Sequence, residues 1–277
     1  MRPLDYCALA DALLPAVLAA GRAEMAYFTT GVEVEQKSDA SPVTAADREA
    51  EAIILDGLWH AARGVPVVAE ESASLGALPS PSTSFFLVDP LDGTREFVNR
   101  CGEFTVNIGL VSDGVPVFGL IYAPALSALF VTLDKERAVE VQVAPDAQVK
   151  SLADCSLTEL KTRQPDVDAL KVLESRSHRS PATDGFLRGY AVASSIRAGS
   201  SLKFCMIARG DADFYARIGP TMEWDTAAGQ AILAGAGGVV TRLGGEVLTY
   251  GKADVGYLNP HFVAWGREFI PPRSPLR

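Results

Sequence analysis

Apolar and polar positions along this chain fall into blocks whose period changes several times. From residue 4 to 28 apolar residues recur at helical spacing, most densely from 13 to 20. Asp5 and Asp11 precede that stretch and no continuous spanning run follows it, so the segment reads as an amphipathic helix, with Pro15 a site for a kink. Neither a signal peptide nor a membrane span is expected. A short strand is expected at residues 32 to 36 and a second helix at 45 to 62. Four brief apolar runs follow, at 65 to 69, 85 to 88, 106 to 111 and 117 to 122, each bounded by Gly, Pro, Asp or Ser, as strands are. The second half repeats the logic, with strands near 171 to 173, 191 to 197 and 212 to 215. Helices are expected at 202 to 208 and 226 to 236, the latter stopped by Gly237-Gly238. Residues 134 to 168 are polar and irregular, and a division into an N-terminal lobe (1 to 140) and a C-terminal lobe (141 to 277) is placed there. The proline-rich tail, 270 to 277, is expected to fray. The pattern is that of an α+β or layered α/β protein.

Composition narrows the function classes. With 277 residues, 48% of them hydrophobic, the chain has ample material for a buried core. A formal net charge of −9 argues against a surface that neutralises many nucleic-acid phosphates. If the ligand is phosphorylated, bound divalent cations must supply the attraction, and an acidic chain suits them. Cys7, Cys101, Cys155 and Cys205 stand far apart, with no CxxC pair and no zinc spacing, as reduced thiols of a cytoplasmic protein would.

Several acids stand where apolar strands end. Val65-Pro-Val-Val-Ala69 runs into Glu70-Glu71, and Phe85-Phe-Leu-Val88 runs into Asp89-Pro-Leu-Asp92-Gly93-Thr94. Half-buried carboxylates repel one another unless a cation lies between them, so Glu70, Asp89 and Asp92 read as hard oxygen ligands. Pro90 stiffens the exit, Gly93 permits a tight turn, and Thr94 opens a helix whose first N–H groups would face an anion. Asp225, far along the chain in Glu223-Trp-Asp-Thr-Ala-Ala-Gly229, is a fourth acid able to complete the site. Each feature also has a plain alternative: Asp225 as a helix cap, Asp92-Gly93 as a turn, Glu70-Glu71 as a solvated loop. Their combination favours a shared metal site.

Asp89-Pro-Leu-Asp-Gly-Thr94 resembles the signature D-P-[LI]-D-G-T of the inositol monophosphatase superfamily. Pro42-Val-Thr-Ala-Ala-Asp47, Glu70-Glu-Ser72, Gly199-Ser-Ser-Leu-Lys203 and Trp224-Asp-Thr-Ala-Ala-Gly229 resemble the family in the same order, so the likeness spans residues 37 to 229. It implies the layered α-β-α-β-α sandwich of that superfamily. It also implies that Glu70, Asp89 and the Leu91 carbonyl bind one Mg²⁺, that Asp89, Asp92 and Asp225 bind a second, and that a third, weaker Mg²⁺ site can involve Glu70. By the same resemblance Li⁺ inhibits. Glu70, Asp47 and Thr94 become the catalytic set: the metal near Glu70 acidifies a water, which Thr94 orients while Asp47 accepts the Thr94 proton.

Substrate must be read from other positions. Lys203 lies one turn into a hydroxyl-rich helix start, Ser175-Arg-Ser-His178 adds donor and cationic groups, and Arg217 stands where inositol monophosphatases typically carry a glutamate for a sugar hydroxyl. An arginine there favours a further anionic group on the substrate. Gly-Ser-Ser-Leu-Lys and Ser-Arg-Ser-His resemble the 3'(2'),5'-bisphosphate nucleotidases of the superfamily. The resemblance implies substrate contacts at Leu91, Gly93, Thr94, His178, Ser201, Lys203, Arg217 and Asp225. Adenosine 3',5'-bisphosphate is the implied substrate, with 3'-phosphoadenylyl sulfate second. A sugar-phosphate phosphatase and a catalytically silent nucleotide-binding protein are the alternatives; the intact acids and the Asp47 and Thr94 pair argue against the latter. Family members are often dimers, which leaves a homodimer open; no nucleic-acid polymer and no membrane anchor is expected.

Overall fold

The computed structural model describes residues 4–31, 33–36, 42–80 and 82–273. In chain order its elements are α1 (Tyr6–Thr30), β1 (Val34–Gln36), β2 (Pro42–Thr44), α2 (Ala45–Ala61), β3 (Val67–Ala69), α3 (Glu70–Ser74) and β4 (Ser84–Asp92). Then come α4 (Thr94–Val98), β5 (Thr105–Ser112), β6 (Val115–Ala123), β7 (Ala128–Asp134), β8 (Arg137–Gln142), β9 (Leu157–Glu159) and β10 (Leu170–Ser175). The chain closes with α5 (Pro181–Leu187), β11 (Val192–Ala198), α6 (Leu202–Arg209), β12 (Phe214–Arg217), α7 (Ala227–Gly235), β13 (Val239–Arg242) and β14 (Phe262–Trp265). Val32, first residue of an expected strand, and tail residues 274 to 277 lie outside the described residues.

Strands β3 to β9 form one sheet in sequence order, with β3 parallel to β4 and every later neighbour antiparallel. A second sheet has the order β11-β10-β12-β14-β13, parallel among β10, β11 and β12 and antiparallel at β14. Side chains alternate across a strand, and both faces of the first sheet are covered, so its strands read as continuous apolar runs. Phe86 and Val88 of β4 and Phe118, Leu120 and Tyr122 of β6 face Leu13, Val17 and Ile54 of α1 and α2. Phe85, Leu87 and Ile121 point the other way, to Phe204, Ile232 and Leu233 of α6 and α7. Beyond the second sheet, Phe186 and Tyr190 at α5 pack on Phe214 and Trp265. Five layers result: α1 and α2, the first sheet, α6 and α7, the second sheet, and α5. This is the α-β-α-β-α sandwich, an α+β fold.

α1 is long and apolar enough to cross a membrane by length and composition. Here Leu13, Leu14, Val17 and Leu18 are instead buried among side chains of α2 and the first sheet. The irregular stretch expected at 134 to 168 contains β8 and β9, so the first sheet runs on to Glu159 and a division at residue 140 would cut through β8. Glu140 hid this strand: it sits buried in β8 because Arg209 of α6 meets it at 3.3 Å.

Two glycines set how closely α7 lies on the first sheet. A Cβ at Gly119 would stand 2.2 Å from the Ala228 carbonyl oxygen, and one at Gly109 would stand 2.8 Å from the Ala228 nitrogen. The helix backbone rests directly on β5 and β6, which brings the residues just before it to the ends of β3 and β4.

Candidate active site

Local rules put three acids together. β3 ends at Ala69, and Glu70 opens α3, whose start is fixed by Glu51 of α2: Glu71 N donates to Glu51 Oε2 at 2.8 Å and Ser72 N to Oε1 at 2.9 Å. In β4, Asp89 lies opposite Asn107 and Asp92 opposite Thr105, three residues against two. This bulge puts Asp89 and Asp92 on one face of the strand, where strict alternation would oppose them. Asp225 precedes α7. It does not cap that helix: Thr226 holds the cap position, and Asp225 Oδ2 accepts from Met222 N at 2.8 Å.

Glu70, Asp89 and Asp225 each offer an oxygen, all within 4.8 Å of one another. Burial first, then the charges of Asp92 and Glu70, push the Asp225 carboxyl well above its usual range. Three acid oxygens so close are a poor arrangement for the protein alone and a good one around a hard divalent cation, which takes carboxylate oxygens. The residues fit such an ion. Asp92 lies beside this trio with a different set of partners: its Oδ2 accepts from Ser201 N at 2.5 Å and from Asn107 Nδ2 at 3.4 Å. Ser201 Oγ also meets Asn107 Oδ1 at 2.7 Å and Thr105 Oγ1 at 2.8 Å, so one buried network ties β5 to the start of α6. Burial raises Asp92 to about 6 against the opposing pull of Lys203 and the Ser201 amide.

Asp47 and Thr94 also meet. Thr44 caps α2, and its N–H and hydroxyl both donate to Asp47 Oδ2, at 2.8 and 2.7 Å. Thr94 Oγ1 donates to Asp47 Oδ1 at 3.2 Å, with the Leu91 carbonyl as its alternative acceptor at 3.3 Å. Gly93, at φ +92°, makes the turn that lets Thr94 begin α4.

These groups share a cavity of about 320 Å³ that Glu70, Asp89, Leu91, Asp92, Gly93, Thr94, His178, Ser201, Lys203, Arg217 and Asp225 help line, with Asp47 behind Thr94. Two buried cations share the lining with the acids. Arg217 is 9% exposed; its Nη2 donates to Pro220 O at 2.7 Å while its buried Nε has no partner among the described residues. Lys203 is buried, donates to the carbonyls of Ser200 and Ala198, and lies 5.1 Å from the Tyr215 ring centre. Burial outweighs the pull of Asp92 and lowers Lys203 to about 8. Partial burial, then the charges of Arg217, Arg95 and Lys203, lower His178 to about 4, so its ring is neutral at physiological pH.

Beside His178, Arg176 forks onto Glu103 at 2.8 and 2.7 Å and Ser177 donates to Glu96, and neither is among the residues that line the cavity. Sequence reasoning passed over Asn107, Glu51 and Arg95. Glu51 carried a usable signal, being one helical turn after Asp47 on the same buried face of α2. Asn107 carried none, since its role depends on the register of β4 against β5.

The model of the inositol monophosphatase family matches residues 6–266. The chain is similar to the 3'(2'),5'-bisphosphate nucleotidase CysQ of Salmonella typhimurium strain LT2, 40% identical over 83% of this chain and 88% of that one. To the protein of the same name from Escherichia coli strain K12 it is 39% identical, over 88% and 94%. Among solved structures, CysQ from Bacteroides thetaiotaomicron aligns with a TM-score of 0.74 at 34% identity, covering 95% of this chain and 97% of that one. An inositol monophosphatase from Anabaena gives 0.70 at 25% identity, covering 93% and 90%.

Proposed function

This chain belongs to the inositol monophosphatase family, and on that premise we propose that it is a Mg²⁺-dependent phosphomonoesterase that removes the 3'-phosphate of adenosine 3',5'-bisphosphate. The observation that carries this reading is a single cavity lined both by an acid trio and by two buried cations. Glu70, Asp89 and Asp225 suit a cation-bound phosphate, and Arg217 and Lys203 suit a second anion on the same molecule. A sugar monophosphate would leave those two cations facing hydroxyls. Similarity to the CysQ nucleotidases supports the same choice, with 3'-phosphoadenylyl sulfate as a second substrate.

Glu70, Asp89 and Asp225 would hold Mg²⁺, joined by the Leu91 carbonyl and Asp92 where further ions bind, and Li⁺ would compete at such a position. When bound, the ions would screen the phosphate charge and acidify water. The chain's own residues orient that water. Thr44 fixes the Asp47 carboxylate; Asp47 Oδ1 accepts the Thr94 hydroxyl proton, and Thr94 Oγ1 is left to accept from the water and aim it at phosphorus. Lys203, Arg217, Ser201 and His178 would bind the nucleotide, with Gly93 and Thr94 beside the scissile phosphate. No covalent nucleophile is required, so attack is direct. The four thiols, all free, suit a reducing cytoplasm.

The test is phosphate release with Mg²⁺ from adenosine 3',5'-bisphosphate, inositol 1-phosphate and fructose 1,6-bisphosphate in parallel, each with and without Li⁺. A kcat/KM preference for the nucleotide with Li⁺ inhibition supports the proposal. Equal or better turnover of the sugar phosphates refutes the substrate, and no turnover of any refutes the enzyme.

A further inference from the structure

One cation on the cavity wall has no role in the scheme above. Arg95 follows Thr94 in α4, lines the cavity and is exposed. Its side chain makes no hydrogen bond or ion pair among the described residues. What sets it apart from the other exposed arginines without a carboxylate partner is its place on the lining of the cavity, in a chain where acids outnumber bases 34 to 25. The neighbouring cations are largely satisfied. Lys203 donates to two carbonyls and faces Asp92, and Arg217 gives one arm to Pro220. Arg95, which is exposed, and Arg217 and Lys203, which are buried, line one cavity together with His178, and a ligand anion held among the three cations would relieve their mutual repulsion.

We propose that Arg95 is a specificity-determining residue that grips the second anionic group of the substrate, a phosphate or sulfo group, from the solvent side while Arg217 holds it from beneath. This rests on the bisphosphate reading above. An arginine left unpaired at a cavity mouth is otherwise a solvated side chain with no influence on which substrate is taken. The planar fork suits a tetrahedral oxyanion, and lysine would keep the charge without the fork.

The experiment compares kcat/KM for adenosine 3',5'-bisphosphate with that for adenosine 3'-monophosphate, which lacks the second group, in wild type, Arg95→Ala and Arg95→Lys. The wild type should prefer the bisphosphate. Arg95→Ala should lower the ratio of the two values about 10- to 100-fold, the size of one or two charged hydrogen bonds at a half-open site. The loss should fall on KM more than on kcat, and Arg95→Lys should recover part of it. If the wild type prefers the bisphosphate and the ratio is the same in Arg95→Ala, the role of Arg95 is refuted and the nucleotidase reading stands. A wild type with no preference refutes both.

Discussion

Replacing Asp225 by Asn should make the cation-free protein more stable while removing its response to Mg²⁺. The oxygens of Glu70, Asp89 and Asp225 lie within 4.8 Å, so at an effective dielectric constant of about 20 each ionised pair repels by about 3.5 kcal/mol or more. Partial protonation relieves most of this. That leaves a net penalty of about 1–3 kcal/mol near neutral pH for the cation-free fold. Asparagine keeps the shape, and its amide oxygen can still accept from Met222 N, the bond that Asp225 makes at 2.8 Å. In a chelator, Asp225→Asn should therefore melt a few degrees above wild type. In Mg²⁺ the order should reverse: a cation at about 100 times its dissociation constant stabilises wild type by about 2.7 kcal/mol, and the variant loses most of that. Phosphate release should fall about a thousandfold, as several kcal/mol of charge stabilisation disappear. Thermal unfolding in chelator and in Mg²⁺, beside a phosphate-release assay, reads all three. A variant less stable than wild type in chelator, with its Mg²⁺ response intact, would refute the reasoning and leave Asp225 as a loop hydrogen bond.

Gly119→Ala should lower urea stability by about 3 kcal/mol or more, because its Cβ would stand 2.2 Å from the Ala228 carbonyl; activity should then need more Mg²⁺, since Asp225 lies just before α7 and moves with its start. Thr94→Val should lower kcat about 100-fold or more with stability changed by about 1 kcal/mol at most, and Thr94→Ser should retain activity; equal kcat in the Val variant would sink the water-orienting role. His178 is lowered from its usual 6.5 to about 4, so the unfolded chain takes up this proton first as pH falls. Its contribution to stability is complete above pH 6.5 and is lost towards pH 4, by about 1 kcal/mol after solvent screening. His178→Gln should flatten that segment of the stability profile measured by urea titration.

What the chain reveals on inspection is what depends on neighbours in sequence. Helix periods, buried strands and the acids at strand ends are local, and so is the capping pair of Thr44 and Asp47. Pairing between distant segments is not. The bulge that turns Asp89 and Asp92 to one face exists only in the register of β4 on β5. The fork of Arg176 on Glu103 joins residues 73 apart, and β8 looked like a loop because Arg209 sits 69 residues from Glu140. Glu24 went unremarked: it lies on the buried face of α1, neither of its oxygens has a hydrogen-bond partner among the described residues, and burial, then the charge of Asp47, pushes it well above the usual carboxylate range.

Asp225 reaches its partners only because α7 rests on β5 and β6 through Gly109 and Gly119. Glu70 and Asp89 are made more than a hundred residues earlier, so a nascent or truncated chain can complete the first sheet's early strands and still lack the third ligand. Hydrolytic competence thus begins when the late helix docks, which makes turnover a reporter of whole-chain assembly and denies activity to any fragment ending before it.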